Sequence, residues 1–255
     1  MNVGELYRKL EQKIPRELSC EWDNDGLMCC PDTAREVRRV LVALDVTEAI
    51  TEHAIEGGYD LIVSHHPLVF RPLRAINPSI PVAKKVIHLL RSGISVMSFH
   101  TRLDAVVGGV NDTLAAALGV CNPTPFGNGE ETIGRIGELE TEMTLDAFAE
   151  RVKAVTGAPF VTVADAGISV RRVAILGGSG SDDVGAAQAA GADTYLSGEL
   201  AHHHLTDAPE HGINLIAAGH FHTEHPVCER VRELLLEIDP QITVDVANSN
   251  RVRVI

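Results

Sequence analysis

Three short segments of this chain place imidazoles and carboxylates directly behind apolar, strand-like runs. His65 and His66 close the run Leu61-Ile62-Val63-Ser64. His100 and Asp104 stand four apart in Phe99-His100-Thr101-Arg102-Leu103-Asp104, and His220 and Glu224 repeat that spacing in Gly219-His220-Phe221-His222-Thr223-Glu224. Strand ends are where open α/β sheets collect their sites. A His-His pair alone is most often a surface or capping feature, but the two companion segments turn the reading towards a metal centre. Its ligands are expected to be His65, His66, Asp104, His220 and Glu224: three imidazoles, two carboxylates and no thiolate. Neutral nitrogen with charged oxygen suits Zn, Mn, Fe, Co or Ni better than Ca or Cu(I). Five protein ligands are too many for one open tetrahedral site and fit two divalent ions roughly 3.5–4 Å apart, with Glu224 the preferred bridge.

Neighbouring side chains of a regular strand point to opposite faces, so His65 and His66 can face a common cleft only at a strand end. Pro67 helps by turning the chain and by biasing His66 towards extended geometry. At the third segment, Thr223 is expected to cap a helix running through Val227, Val231 and Leu235, which would put Glu224 in its first turn.

The elements that must position these residues repeat along the chain. Val37-Arg38-Arg39-Val40-Leu41-Val42-Ala43 returns as Val170-Arg171-Arg172-Val173-Ala174-Ile175-Leu176, and the same offset of 133 aligns Gly58 with Gly191, Asp60 with Asp193 and Ser64 with Ser197. His100 and Asp104 align with His220 and Glu224 at an offset of 120, so the second copy loses 13 residues from the connection after its second strand. A register held over some thirty positions indicates a duplicated α/β unit. Each copy opens with an amphipathic helix, carried by Val3, Leu6, Tyr7, Leu10 and Ile14 in the first and by Leu145, Phe148, Val152 and Val155 in the second. Strands are expected at Arg39 to Leu44, Leu61 to Ser64, Ile94 to Phe99, Val173 to Leu176, Thr194 to Ser197 and Leu215 to Ala218. Helices are expected at Thr47 to Glu56 and Ser181 to Ala190, and another, capped by Asn111-Asp112, towards Leu118 and Gly119. Alternating strands and helices imply an α/β protein of two related repeats with mainly parallel sheets. The division falls in Pro123 to Asn128, giving 1–126 and 127–255.

Composition narrows the function. A chain of 255 residues, 45% hydrophobic and 22% charged, has room for one large or two ordinary domains. The net charge of −13 argues against a generally basic nucleic-acid surface. No apolar stretch is long enough for a membrane-spanning helix, and the N-terminus lacks the basic and apolar regions of a signal peptide, so a cytoplasmic protein is expected. Five cysteines without a C-x-x-C spacing read as buried thiols rather than disulfides or a zinc site.

Asp23-Asn24-Asp25-Gly26-Leu27, Ser64-His65-His66-Pro67-Leu68-Val69-Phe70, His100-Thr101-Arg102-Leu103-Asp104, Ser197-Gly198-Glu199-Leu200 and Gly219-His220-x-x-Thr223-Glu224 resemble, in order, the motifs of the Nif-three-like family. Its members are also called dinuclear metal centre hexameric proteins, or GTP cyclohydrolase 1 type 2 homologues. The resemblance covers nearly the whole chain. It implies two intertwined α/β repeats, a two-metal cleft between them, a toroidal homohexamer, and metal ligands at the same five residues. Asp25 departs from the family, many members having a small apolar residue there.

Around those ligands, His100, Glu199 and His203 are candidates for general acid and base, with a polar cleft wall or a solvated helix start as the alternative. His203 fits a histidine that the resemblance implies near the metals. Arg71, Arg74 and Arg102 are candidates to hold a triphosphate, or else lie on a solvated loop. Gly177-Gly178-Ser179-Gly180 lacks the Lys-Ser/Thr ending of a phosphate loop and reads as a tight turn. The expected function is a dinuclear-metal-dependent hydrolase acting on a small molecule or nucleotide. Resemblance alone points to GTP, with dihydroneopterin triphosphate and formate as products. The other class is a non-enzymatic, metal-binding hexameric adaptor or regulator.

Overall fold

Strands that are apolar on both faces alternate with amphipathic helices, and the protein, a computed structural model describing residues 1–129 and 131–253, builds two sheets from them. The elements in chain order begin with α1 (Val3–Lys13), β1 (Gly26–Cys29), β2 (Arg39–Ala43), α2 (Glu48–Glu56), β3 (Leu61–Ser64), α3 (Pro81–Arg91), β4 (Ser95–Ser98), α4 (Thr101–Ala105) and α5 (Val110–Leu118). They continue with β5 (Val120–Asn128), β6 (Glu131–Met143), α6 (Leu145–Thr156), β7 (Thr162–Ala164), β8 (Val170–Ser179), α7 (Val184–Ala189), β9 (Thr194–Glu199) and α8 (His202–Asp207). The last are β10 (Asn214–Ala217), α9 (His220–Glu224), α10 (Val227–Ile238) and β11 (Thr243–Ala247).

The chain parts into two compact units: Met1–Leu103 with Cys228–Val252, and Asp104–Val227. The first holds a sheet in the order β1-β4-β3-β2-β11, whose last strand comes from the returning C-terminal segment. All its pairings are parallel except β1 with β4. The second sheet runs β5-β6-β8-β9-β10-β7. Only β8, β9 and β10 are parallel there, so "mainly parallel" describes the first sheet and the centre of the second. Pro123 to Asn128 does not form a linker: it is the greater part of β5, paired with β6.

The duplication is visible in the ladders. Val40 faces Leu61 and Ala43 faces Ser64, while Val173 faces Thr194 and Leu176 faces Ser197, which is the same register 133 residues on. Each repeat also adds a short antiparallel edge strand, β1 on β4 and β7 on β10, that periodicity did not reveal because three or four residues carry too little pattern. One acidic residue locks the entry to each core pair. Asp60 Oδ2 accepts the backbone N–H groups of Arg38 and Arg39 at 2.9 and 3.1 Å, and Asp193 Oδ2 accepts those of Arg171 and Arg172 at 2.9 and 2.6 Å.

Packing follows from strand alternation. In the second unit Val173, Ile175, Leu196 and Ile216 face a core with Leu114, Leu118, Phe148 and Val152, from α5 and α6. Their neighbours Ala174, Leu176, Tyr195 and Leu215 face the opposite side, against Val184 and Ala187 of α7. In the first unit Leu41, Ile62 and Val96 pack on Ile50, Ala54, Val86 and Leu89 from α2 and α3. All five cysteines are free thiols, three buried and Cys121 exposed; burial pushes the Cys29 thiol up to about 12.

Two expected caps fall elsewhere. Gly109, not Asn111, precedes α5, and the buried Asn111 side chain instead bridges, donating to the Ile133 carbonyl and accepting from Gly177 N–H at 2.8 Å. Thr223 lies inside α9, and Glu224 is the last residue of that short helix rather than in the first turn of the next. A first-turn dipole therefore does not stabilise Glu224.

The paired Asp locks give a direct test. Asp193→Ala removes a charged acceptor from two backbone donors, so unfolding free energy should fall by about 1.5–3 kcal/mol. A urea titration checks this through a lower midpoint at unchanged slope; an unaltered midpoint would show that the lock contributes nothing.

Candidate metal centre

In the first unit three histidines come together where β3 and β4 end. His65, His66 and His100 offer ligand atoms within 4.8 Å of one another, and their ring centroids lie 5.0 to 5.7 Å apart. Each ring is held through the same atom. His65 Nδ1 meets the Phe99 carbonyl at 3.0 Å, His66 Nδ1 meets Asp45 Oδ1 at 2.7 Å, and His100 Nδ1 meets Asp23 Oδ1 at 2.8 Å. A carbonyl or carboxylate oxygen accepts only, so Nδ1 is the protonated nitrogen and Nε2 is the atom with which each ring would meet a cation. Ligating histidines are oriented in this way, and the donor set fits a divalent metal.

The supports are themselves fixed. Asp45 follows β2, and Ser249, just past β11, donates from its hydroxyl to Asp45 Oδ2 at 2.9 Å while accepting the Asp45 N–H. Asp23 also accepts the N–H and hydroxyl of Thr101 at 3.0 and 2.7 Å. Burial pushes its carboxyl up, but the His100 and Thr101 donors outweigh burial and hold it down at about 2. Two residues on, the buried Asp25 accepts from Arg16, Ser19, the His100 N–H and Arg102 Nε, the last at 3.0 Å. The position that departs from the family pattern is thus the hub of the loop.

Arg102 corrects one expectation. Its side chain is fully buried, paired with Asp25, donating to the Ile14 carbonyl and lying 4.6 Å from the Phe99 ring centroid. It is committed to the core and cannot hold a triphosphate. Arg71 and Arg74 are exposed on the loop after β3.

In the second unit Asp104 and Glu224, both buried, offer carboxylate oxygens within 4.8 Å of each other, and His220 Nε2 lies 3.1 Å from Glu224 Oε2. Glu199 stands on the other side of His220, 3.5 Å from Nδ1. Two glycines make room. Gly178 (φ +70°) approaches so closely that a Cβ there would collide with Glu224 Oε1, and a Cβ on Gly198 would lie 2.7 Å from Thr223 Oγ1 and 2.8 Å from His220 Cα. Thr223 Oγ1 in turn accepts the Gly178 N–H at 3.0 Å. The Gly177–Gly180 segment is therefore neither a phosphate loop nor a simple turn, but the end of β8 laid against α9.

His203 sits exposed on α8 with its ring 4.1 Å from His204, and no metal-capable group among the described residues includes it or Glu199. The supporting residues that sequence reasoning missed are Asp23, Asp45, Asn111 and the two glycines. Asp23 and Asp25 stood in a quoted motif, but a carboxylate in a loop does not disclose its distant partner.

A family model described as Duf34/NIF3 (NGG1p interacting factor 3) matches residues 1–253. A Clostridium perfringens protein named GTP cyclohydrolase 1 type 2 homolog is 35% identical, over 93% of this chain and 92% of its own length. The Saccharomyces cerevisiae NGG1-interacting factor 3 is 29% identical over 92% and 90%. A solved Bacillus cereus protein related to NIF3 superposes with a TM-score of 0.89 at 25% identity, covering 100% of this chain and 99% of that one.

Two substitutions probe this framework. Asp25→Ala leaves the buried Arg102 guanidinium with only the longer 3.4 Å ion pair to Glu11 and should cost about 3–5 kcal/mol, read from chemical denaturation; a loss within experimental error would remove the hub. Gly178→Ala should cost roughly 1–3 kcal/mol through its positive φ and the collision, and a crystal structure of the variant should show a displaced Glu224 carboxylate.

Proposed function

The chain belongs to the Duf34/NIF3 family, and from that premise we propose that it is a dinuclear-metal-dependent hydrolase. His65, His66, Asp104, His220 and Glu224 are the residues that would hold two divalent ions drawn from Zn, Mn, Fe, Co or Ni. The observation that carries the reading is the common orientation of His65 and His66, each giving Nδ1 to an oxygen acceptor so that Nε2 is the atom that would meet a cation. When bound, such ions polarise a substrate and lower the pKa of water towards neutrality.

The substrate proposed is GTP, a choice supported by the names of relatives such as the Clostridium perfringens protein. Water adds at C8 of the guanine and opens the ring to a formamide, a second water cleaves that formamide to release formate, and rearrangement with ring closure returns one water and gives dihydroneopterin triphosphate. His100 keeps a proton on Nδ1 against Asp23 and can take up and return another at Nε2. Glu199, beside His220 Nδ1, and His203 are the further proton carriers in this scheme. Arg71 and Arg74 remain the candidates to meet phosphates. The proposal includes a homohexamer in the cytoplasm and a repeat division at 1–126 and 127–255. No described helix is long and apolar enough to cross a membrane.

The second reading, a metal-binding adaptor without catalysis, is favoured by the name of the yeast relative. One experiment separates the two. Protein loaded with Zn or Mn is incubated with GTP while pterin fluorescence is followed, with bound metal measured by mass spectrometry. His65→Ala should lose both metal and product, and Asp45→Ala, which frees the His66 ring, should weaken metal affinity roughly 10–100-fold. Full metal occupancy without product would leave only the adaptor.

A further inference from the structure

Two exposed aromatic side chains stand together around one histidine of the cluster. Trp22 is 57% exposed and Phe70 43%. Their rings lie 6.2 Å apart at 79°, and each also stands edge-on to His100, Trp22 at 6.2 Å and 78°, Phe70 at 5.8 Å and 84°. Three rings close to mutually perpendicular make the corner of a box.

The corner is rigid despite its exposure. Trp22 lies between Cys20 and Asp23: the Cys20 N–H donates to Thr101 Oγ1 at 3.0 Å, and the Asp23 carboxylate is held by His100 and Thr101. Asn24 Nδ2 donates to the Val69 carbonyl, tying the Trp22 loop to the residue before Phe70. Neither aromatic therefore sits on a free tip.

We infer that Trp22, Phe70 and His100 seat a planar heteroaromatic ring of nucleobase type, face-on to Trp22 and edge-on to His100. A ring laid parallel to Trp22 lies at about the same 78° to His100 and 79° to Phe70, the inclination at which its edge, where its nitrogens and reactive carbons are, can meet the histidine. Offset stacking on one aromatic with edge contact to another is the preferred arrangement for such rings, and base–aromatic stacking is tolerant of which base is present. The corner stands on first-unit geometry alone; guanine as its occupant rests on the hydrolase reading.

Trp22 is the one tryptophan of the chain, so its emission reports on the corner directly. The full-length protein is titrated with guanosine and, separately, with inorganic tripolyphosphate, exciting at the red edge of tryptophan absorption. Guanosine should quench saturably and tripolyphosphate should not. Phe70→Ala should raise Kd roughly five- to a hundred-fold, the loss of one base–aromatic contact. Absence of quenching by guanosine, or equal quenching by tripolyphosphate, overturns the proposal. So does a blue-shifted emission that moves red on dilution, which would mean a second copy of the chain covers Trp22. Saturable guanosine binding without GTP turnover would sink the hydrolase reading and leave the corner standing. Turnover with KM unchanged in Trp22→Ala would do the reverse.

Discussion

Two carboxylates in one loop, Asp23 and Asp25, hold the start of α4, and the first-unit site depends on that grip. Asp23 takes the His100 ring and Thr101; Asp25 takes the His100 N–H and Arg102. The Asp25–Arg102 pair is fully buried on both sides. Such a pair adds little net stability over apolar packing, yet either partner left alone is a large liability. What it supplies is uniqueness of geometry: a satisfied polar network admits one arrangement of its members. The consequence is that the loop, the His100 ring and the N-terminal turn of α4 are positioned together.

The same duplicated frame is used in opposite ways at corresponding positions. At the offset that aligns the ladders, Asp45 corresponds to Gly178, His65 to Gly198 and His66 to Glu199. In the first repeat the strand ends carry side chains, the histidines and the aspartate that orients one of them. In the second, two of the three positions are glycine, because α9 presses against the end of β8 and brings Glu224 where a Cβ would be. One backbone offers functional groups and the other offers space for a functional group from elsewhere. Divergence of this kind keeps the register, since the paired Asp60 and Asp193 locks are untouched in both copies.

Legibility in the sequence divides along the same line. Signals that are local and repeated were readable: β3 falls where its apolar run placed it, the helices α1, α2 and α6 follow their apolar spacing, and the duplication survives in the ladders. Signals carried by a distant partner were not. Nothing near Asp45 says that Ser249, 204 residues away, fixes it. Nothing near Arg102 says that a loop 77 residues earlier will bury it. Asn111 and Thr223 have the right types for caps, but each found a better acceptor or donor in the glycine strand end, Gly177 and Gly178. Tertiary bonds of this kind outweigh a cap worth about 1 kcal/mol.

Orientation, more than proximity, is what distinguishes the histidine cluster from a chance gathering. Imidazoles that merely pack together can bond ring to ring, one donating and one accepting. Here all three give their N–H to oxygen acceptors outside the cluster, so the nitrogens on their other edges are all acceptors. Neutral imidazole nitrogens suit a transition-series ion better than calcium or magnesium. The acceptors that impose this orientation, the Phe99 carbonyl, Asp45 and Asp23, come from the strand ends and from the loop before β1. The orientation of the three rings is thereby set by the sheet and the loop that carry them rather than by the rings alone.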